Sequence, residues 1–395
     1  MGIGYLAGPP ASAELVIVGG GVVGAATAFH AARVGLKPLI LEARPQLCTL
    51  TTPVAAGAFR LQFDNLEELT LVRESAELFL HFEEETGQAS YPLGVHQRGY
   101  LWLATSAETA ARQRALVEQL HAWGQIDVEL ISGDQTRERF PWVGENVVQS
   151  RFRAGDGFLD TKQLTFGLAL GAGADVVTGC RVTGFRTTGA RLTGVETTGG
   201  TIETGAAVIA AGPLSGVVGA SAELTFPIVT IRRQKLILPL VPEVPDDGPM
   251  TIDEDTGAHW RPAQQGAWCF FTDPSTPPTE PTMDVPTDHR FAFGLLDPAS
   301  PTSVARVVPF WHDVWERGSS HWLLQAGQYT VTPDHRPIIG PTPIDGLYVN
   351  TGYSGHGIML SVAGSRILVD AIVRRDAENP FRPDRVFEER TQPTL

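Results

Sequence analysis

Three glycines near the beginning of the chain are the first residues whose types and spacing could do chemistry. Gly19, Gly21 and Gly24 follow a short apolar run and precede a stretch of small residues. Glycines at this spacing permit a tight turn, a close approach of phosphate to the backbone, and close packing of a helix on a strand. Val22 and Val23 stand at the start of that helix, whose positive end would face the phosphates. The chemistry indicated is the binding of a dinucleotide.

An acidic residue completes this nucleotide pattern. Glu42 stands eighteen positions after Gly24, at the end of a second apolar run, and would accept hydrogen bonds from ribose hydroxyls. Ala43 and Arg44, which follow it, are expected to touch the same nucleotide. The fingerprint serves both FAD and NAD, so both remain open at this point, as does a glycine-rich turn that binds no ligand.

The elements around these residues predict a parallel sheet. Residues 15–18 and 38–41 form apolar runs typical of buried strands, and residues 22–34 between them have the pattern of a helix of the length that a crossover requires. Residues 207–210 are predicted to return to the same sheet. Amphipathic spacing also predicts helices over residues 65–86 and 106–124.

The second half of the chain has a different character. Residues 238–257 and 272–288 are dense in Pro, Thr and Asp, which predicts long loops on a second domain. They bracket a strand-like core at residues 258–271. Residues 346–350 predict another strand, and Gly355 to Gly357 open a helix that continues to about residue 374.

Three further segments carry a second pattern. Residues 51–60 read Thr-Thr-Pro-Val-Ala-Ala-Gly-Ala-Phe-Arg, and residues 208–212 read Val-Ile-Ala-Ala-Gly. The third segment joins residues 326–340 to residues 352–359, which read Gly-Tyr-Ser-Gly-His-Gly-Ile-Met. On these segments, in this order, the chain resembles the D-amino-acid oxidase superfamily, most closely its glycine oxidase, sarcosine oxidase and proline dehydrogenase β-subunit branch. The resemblance runs from about residue 14 to residue 375.

The resemblance implies a fold and a division of the chain. The fold class would be α/β, with a Rossmann-type FAD-binding domain and an α+β substrate domain built on a mixed, largely antiparallel sheet. The FAD-binding domain would be discontinuous and comprise residues 1–90, 146–220 and 325–395. The substrate-binding domain would comprise residues 91–145 and 221–324.

The resemblance also implies FAD as the cofactor, held without a covalent bond. Gly327 stands where monomeric sarcosine oxidases carry the attaching Cys, and Val54 stands where dimethylglycine-oxidising relatives carry the attaching His. The further positions expected to touch FAD are Thr51, Thr52, Ala56, Gly57, Val182, Ala211, Gly212, Gly327, Gly352, Tyr353, Gly355, His356, Gly357, Ile358 and Met359.

The implied reaction moves a hydride from the carbon beside an amine nitrogen to flavin N5, after which the imine hydrolyses in water. Arg60 is expected to bind a substrate carboxylate or, alternatively, to order the loop through a salt bridge. His259 stands where relatives carry an aromatic residue over the substrate, so it is expected to contact the amine. His356 is expected to lie beside the flavin at a helix start. A structural role is the alternative for each histidine. Tyr329 is the fourth candidate catalytic residue beside these three. Because Tyr329 and Met359 replace cationic carboxylate anchors of relatives, secondary amines, N-methyl compounds and other amines remain open.

Composition excludes several other classes of function. The formal net charge of −14 disfavours nucleic acid, and no apolar run is long enough to span a bilayer. Three cysteines without a Cys-x-x-Cys pair predict neither a disulfide framework nor a metal site. A cytoplasmic location is expected.

The expected partners are a small amine or amino acid and an electron acceptor. Residues 266–271 lack the Lys that oxidases of the family often use with oxygen, so the acceptor is O2 or an electron carrier. A homo-oligomer or a hetero-oligomer is compatible with the pattern. The alternatives are an amine-oxidising subunit of a heteromeric dehydrogenase, an aromatic hydroxylase-type flavoprotein and an NAD-dependent dehydrogenase.

Overall fold

The computed structural model describes residues 2–318, 321–374 and 378–389. In chain order its strands are β1 (Gly4–Tyr5), β2 (Leu15–Val18), β3 (Pro38–Leu41), β4 (Ala58–Phe59), β5 (Tyr100–Ala104), β6 (Glu129–Ser132), β7 (Gln149–Arg153), β8 (Gly157–Phe158), β9 (Asp175–Val177), β10 (Val182–Thr188), β11 (Arg191–Thr197), β12 (Gly200–Glu203), β13 (Ala207–Ile209), β14 (Val229–Leu238), β15 (Met250–Asp253), β16 (Ala258–Ala263), β17 (Gly266–Phe271), β18 (Leu323–Val331), β19 (Ile338–Pro341) and β20 (Leu347–Thr351). Its helices are α1 (Val22–Arg33), α2 (Leu66–Leu80), α3 (Phe82–Thr86), α4 (Ala107–Ala122), α5 (Gly133–Arg139), α6 (Thr161–Ala172), α7 (Ser215–Ala220), α8 (Arg290–Leu296), α9 (Phe310–Arg317) and α10 (Gly357–Arg374).

A seven-stranded sheet carries the N-terminal glycine turn. Its order is β1-β9-β3-β2-β13-β20-β19, and all of its pairs are parallel except β19 with β20. Leu15 and Ile17 of β2 pack among α1, α2, α6 and α10, whereas Val16 and Val18 pack against the layer on the opposite face. Burial on both faces explains why the strand is continuously apolar.

An eight-stranded sheet forms the second layer, in the order β18-β14-β17-β16-β15-β5-β7-β6. Its pairs are antiparallel except β15 with β5. Trp260 and Cys269 point to a core that contains Trp311 of α9. This architecture confirms the predicted α/β fold with a mixed, largely antiparallel second sheet.

The opposite face of the eight-stranded sheet is directed toward the seven-stranded sheet and the residues around it. Lys235, Phe270, His259, Ile252 and Trp102 stand directly opposite one another on five successive strands. Residues paired in this way share one face of a sheet. We call this the inner face.

Some predicted boundaries were wrong. The helix predicted over residues 65–86 is interrupted at His81, which separates α2 from α3. The loop predicted over residues 238–257 contains β15, and the strand-like core is two strands joined by a turn in which Gln264 has a φ of 59°. The domain limits at residues 146 and 325 stay predictions; β7 and β18, which lie near them, both pair within the eight-stranded sheet. In the described ranges, no helix is both long and apolar enough to cross a bilayer.

Candidate active site

A cavity of about 580 Å³ lies at the carboxyl ends of β2, β3 and β13. This edge of a parallel sheet is where open α/β folds bind their ligands. The wall includes many of the predicted nucleotide contacts: Gly19, Gly21, Val22, Val23, Glu42, Ala43, Arg44, Thr51, Thr52, Val182, Ala211, Gly212, Tyr353, Gly355, Gly357 and Ile358. Tyr329 also lies in the wall. Residues from six distant parts of the chain therefore meet in one place.

The glycine turn leaves the start of α1 open to a ligand. Gly21 is the N-cap residue and supplies no side-chain cap, while the N–H of Val22 donates to Thr52 Oγ1 at 3.2 Å. A Cβ added at Gly24 would lie 1.9 Å from the carbonyl oxygen of Gly19. Gly24 therefore permits the close contact of α1 with the turn, although it lies outside the cavity wall.

Glu42 is held at the end of β3 by backbone donors. Its Oε2 accepts from the N–H of Gly20 and its Oε1 accepts from the N–H of Arg44, both at 2.8 Å. Burial raises the pKa of Glu42 above its ordinary value. Hydroxyl donors from a ribose would add hydrogen bonds to this carboxylate, which is the contact that the sequence pattern predicts.

The residues that precede helix α10 form another part of the cavity wall. Gly352, Ser354 and Gly355 have φ values of 75°, 47° and 96°, so the chain turns sharply before α10. A Cβ at Gly355 would lie 2.7 Å from Cε2 of Tyr329, so only glycine fits this contact. The positive end of α10 can therefore stabilise negative charge in the cavity.

Several predicted cofactor contacts lie behind the wall rather than in it. Gly57 and Gly352 have positive φ values and sit against backbone and side chains that exclude a Cβ. Met359 is buried in the core around α10, and Gly327 packs against Thr51 and Val54. Ala56 contributes a carbonyl oxygen that Arg261 binds.

Arg60 and His356 also lie outside the wall, next to each other. Nη1 of Arg60 donates to the carbonyl oxygen of Gln62 at 2.6 Å, and its Nη2 lies 3.4 Å from Nε2 of His356. The guanidinium stacks over Phe63 at 4.3 Å, and Nδ1 of His356 lies 3.8 Å from Oε1 of Glu68. Such buried contacts are expected if Arg60 orders the loop around residues 51–60 and His356 orders the start of α10.

His259 lies on the inner face, stacked on Phe270 with ring centres 5.2 Å apart. Its Nδ1 lies 2.8 Å from the carbonyl oxygen of Gly257, so Nδ1 carries the proton. Burial lowers the pKa of His259 to about 4. The ring is therefore neutral at neutral pH, and its Nε2 is an acceptor.

Two buried cations that sequence reasoning missed bind the loop around residues 51–60. Nζ of Lys235 donates to the carbonyl oxygen of Pro53 at 2.7 Å, and Nε of Arg261 donates to that of Ala56 at 2.7 Å. The two cations contact the ring of Trp268 at 3.9 Å and 4.0 Å. Burial lowers the pKa of Lys235 to about 7. We call Lys235, Arg261 and Trp268 the cation clamp.

A further part of the wall comes from the loop predicted over residues 272–288. Pro281, Thr282 and Met283 line the cavity. The N–H of Thr282 donates to Oε1 of Gln328 at 2.9 Å, and Arg44 binds the carbonyl oxygen of Met283. A Pro- and Thr-rich sequence predicts a loop, but it does not indicate that the loop lines a binding cavity. The described residues contain no group of His, Cys, Asp and Glu that could hold a metal ion.

The fold and the cavity define a flavoprotein oxidoreductase. The chain belongs to the FAD dependent oxidoreductase family, DAO, whose model matches residues 14–371. It is 26% identical to mouse mitochondrial dimethylglycine dehydrogenase over 93% of this chain and 43% of the relative, and 25% identical to human mitochondrial sarcosine dehydrogenase over 89% and 38%. The chain thus spans less than half of the length of these curated relatives.

Two solved structures share the fold. L-proline dehydrogenase from P. horikoshii has a TM-score of 0.82 at 24% identity and covers 95% of this chain and 97% of its own. Glycine oxidase from Geobacillus kaustophilus has a TM-score of 0.81 at 24% identity, with 96% and 100% covered. The predicted family membership, enzyme class and FAD cofactor are confirmed by the family match.

The wall residues fit FAD. The uncapped start of α1 can receive a pyrophosphate, the Glu42 carboxylate can receive ribose hydroxyls, and the start of α10 can face the polar edge of an isoalloxazine ring. The individual site residues stay predictions.

Proposed function

We propose that this chain oxidises the bond between carbon and nitrogen in a secondary amine, an N-methyl compound or another amino acid. FAD, when bound, supplies the two-electron acceptor at its N5 atom. The substrate, bound as the neutral amine, loses a hydride from the carbon beside nitrogen and becomes an iminium ion. Reaction with water then releases a proton and gives a carbonyl compound and ammonia or an amine, and the two products stay in one molecule when the substrate is cyclic.

The observation that carries this proposal is the joining of the two helix starts in one cavity, beside a loop that Lys235 of the inner face binds. The start of α1 suits a dinucleotide, and the start of α10 suits a flavin that becomes anionic on reduction. The inner face adds His259 and Phe270, an aromatic and polar surface of the kind that a small amine can contact. The relatives named above carry the names of amine substrates, which supports the same reaction class.

His259 provides a hydrogen-bond acceptor without introducing charge. With its proton on Nδ1, its Nε2 can accept an N–H of the substrate amine. Its pKa of about 4 keeps it neutral above about pH 5, so it does not repel a protonated amine on arrival. A dedicated base is not required when the amine binds neutral, and the chain then contributes position and field.

An anaerobic titration of the purified yellow protein tests the proposed function. Sarcosine, dimethylglycine, proline and glycine should be added in turn while the flavin absorption band is followed. Bleaching by at least one of them is expected. A flavin band that none of these amines, nor a wider amine panel, bleaches would contradict the proposal.

FAD is expected to leave the protein when the protein is denatured with acid. Gly327 and Val54 offer no atom for attachment, and burial raises the pKa of the Cys48 thiol in the wall to about 11, so this thiol is a poor nucleophile. After precipitation, absorbance at the flavin band should appear in the supernatant. A yellow pellet that stays coloured after washing would show a covalent bond and refute this expectation.

A further inference from the structure

Part of the cavity wall belongs to a loop rather than to a sheet edge or a helix start. Residues 278–288 read Pro-Thr-Glu-Pro-Thr-Met-Asp-Val-Pro-Thr-Asp, and they contain neither a helix nor a strand. Pro281, Thr282 and Met283 line the cavity, whereas most of the other residues in this range are exposed. The segment therefore lies between the cavity and the solvent. We call residues 278–288 the strap.

Both ends of the strap are fixed to the eight-stranded sheet. The N–H of Thr279 donates to the carbonyl oxygen of Thr230 at 2.8 Å, and Oγ1 of Thr230 donates to the carbonyl oxygen of Thr279. At the other end, the N–H of Asp288 donates to Oε1 of Gln234 at 2.6 Å. Thr230 and Gln234 both belong to β14, so the strap leaves this strand and returns to it. Its middle, which lines the cavity, is the part that can swing outward.

Gln328 of β18 holds the middle of the strap from the side of the sheet. Its side chain is buried, and its Nε2 donates to Oγ1 of Thr279 at 2.9 Å and to the carbonyl oxygen of Glu280 at 2.6 Å. Its Oε1 accepts from the N–H of Thr282 at 2.9 Å. The backbone carbonyl oxygen of Gln328 accepts from Oγ1 of Thr51, another wall residue, at 3.0 Å. One residue thus joins the strap to the loop around residues 51–60.

Arg44 holds the strap from the nucleotide side. Its Nη1 donates to the carbonyl oxygen of Met283, and its Nε donates to Oγ1 of Thr49 at 2.9 Å. The backbone N–H of Arg44 donates to the carboxylate of Glu42, which is expected to bind ribose. The Arg44 side chain is only partly buried, so its hydrogen bond to the strap can be exchanged for water at a modest cost. Gln328 and Arg44 therefore act as two latches on a segment that has no strand ladder of its own.

We propose that the strap is a gate for FAD, which closes over the cavity through Gln328 and Arg44 and opens when the cofactor enters or leaves. Segments with few backbone hydrogen bonds open at much less cost than global unfolding. The prolines at positions 278, 281 and 286 limit the number of open conformations and so favour the closed one. This inference concerns the exchange of FAD, and it does not depend on the proposed amine oxidation.

A gate differs from an ordinary cofactor contact in its kinetics. Loss of a contact that the protein makes only with bound FAD speeds release and leaves the rate of entry unchanged. Loss of a latch between two protein groups makes opening easier with or without FAD. Entry and release then both become faster, and the affinity changes less than either rate.

Gln328→Met tests the gate because methionine has a similar length, removes the three side-chain bonds to the strap and keeps the backbone bond to Thr51. Quenching of flavin fluorescence on mixing FAD with the apoprotein gives the rate of entry. Exchange of bound radiolabelled FAD against unlabelled FAD gives the rate of release. Both rates are expected to rise by about 10-fold. Gln325→Met changes an exposed position of the same strand and should leave both rates as in the wild type.

Pro286→Gly tests the same gate without altering a buried side chain. Pro286 is exposed, and its carbonyl oxygen, which Arg232 binds, is retained. Glycine gives the open strap more conformations, so entry and release should each rise by about 3-fold. Hydrogen exchange of a peptide that contains Thr282 and Met283 should be faster in both variants than in the wild type. Unchanged exchange in β2 and β3 shows that the fold is intact.

The rates decide the outcome. Faster release with an unchanged rate of entry would make the strap an ordinary contact of bound FAD and would overturn the gate. Entry and release rates that both stay as in the wild type in Pro286→Gly and Gln328→Met also overturn it, because FAD then passes by another route. If Gln328→Met does not fold, Pro286→Gly decides alone. No amine is added in these measurements, so the gate and the proposed amine oxidation can each fail without the other.

Discussion

Gly21→Val is expected to lower the affinity for FAD by at least ~100-fold, or about 2.8 kcal/mol, while the protein still folds. Gly21 has a φ of −83°, which any residue adopts, and a Cβ there would contact only Thr52 Oγ1 at 3.2 Å. The valine side chain would instead occupy the place that a pyrophosphate needs at the start of α1. Titration of the apoprotein with FAD, followed by quenching of flavin fluorescence, measures the loss.

Two other glycine variants make this result interpretable. Gly205→Ala adds a Cβ with no neighbour within 4 Å and should bind FAD as the wild type does. Gly24→Val should impair folding itself, because its Cβ would collide with the carbonyl oxygen of Gly19. If Gly21→Val bound FAD within a few-fold of the wild type, the glycine turn would not be the phosphate site.

Lys235→Met is expected to change how stability depends on pH. Burial lowers the pKa of Lys235 from 10.5 to about 7, so between these values the unfolded chain binds a proton that the folded protein does not. The contribution of Lys235 to the stability of the wild type therefore rises as the pH increases from about 7 to about 10, and it is constant below pH 7. The variant lacks this dependence. Its stability relative to the wild type should increase by up to about 5 kcal/mol as the pH falls across that range.

Thermal or urea unfolding at saturating FAD, repeated at several pH values, measures this difference. Lys37→Met provides a matched control because Lys37 is exposed, and it should leave the pH dependence as in the wild type. If the stability curves of the wild type and Lys235→Met were parallel between pH 7 and pH 10, burial would not destabilise the charged form of Lys235 and this prediction would be wrong.

The nucleotide half of the site could be predicted from sequence because the residues that form it lie close together along the chain. The apolar run of β2, the spacing of Gly19, Gly21 and Gly24, and Glu42 after β3 all lie within thirty residues, and each has a backbone reason for its identity. The glycines needed around α10 were found in the same way, since left-handed turns before a helix select glycine.

The inner face could not be predicted in this way. The residues Arg232 to Lys235 of β14 are polar and look exposed in sequence, yet Lys235 is buried because it packs against a loop about 180 positions earlier. The contacts of His356 could not be predicted for a related reason. The neighbouring glycines indicate a turn, whereas the contact of His356 with Arg60 depends on packing between distant segments of the chain. In both cases, packing between segments that are far apart in the sequence determines the surroundings of the side chain.

The distribution of the wall residues along the chain has a consequence for the biogenesis of the enzyme. The cavity is assembled from residues between Val18 and Ile358, and the cation clamp that holds its loop is contributed by β14, β16 and β17. During synthesis the glycine turn leaves the ribosome early, but the start of α10 emerges only after more than three hundred further residues. Cofactor loading is therefore a late event, and a nascent or truncated chain that ends before α10 would compete poorly for cellular flavin.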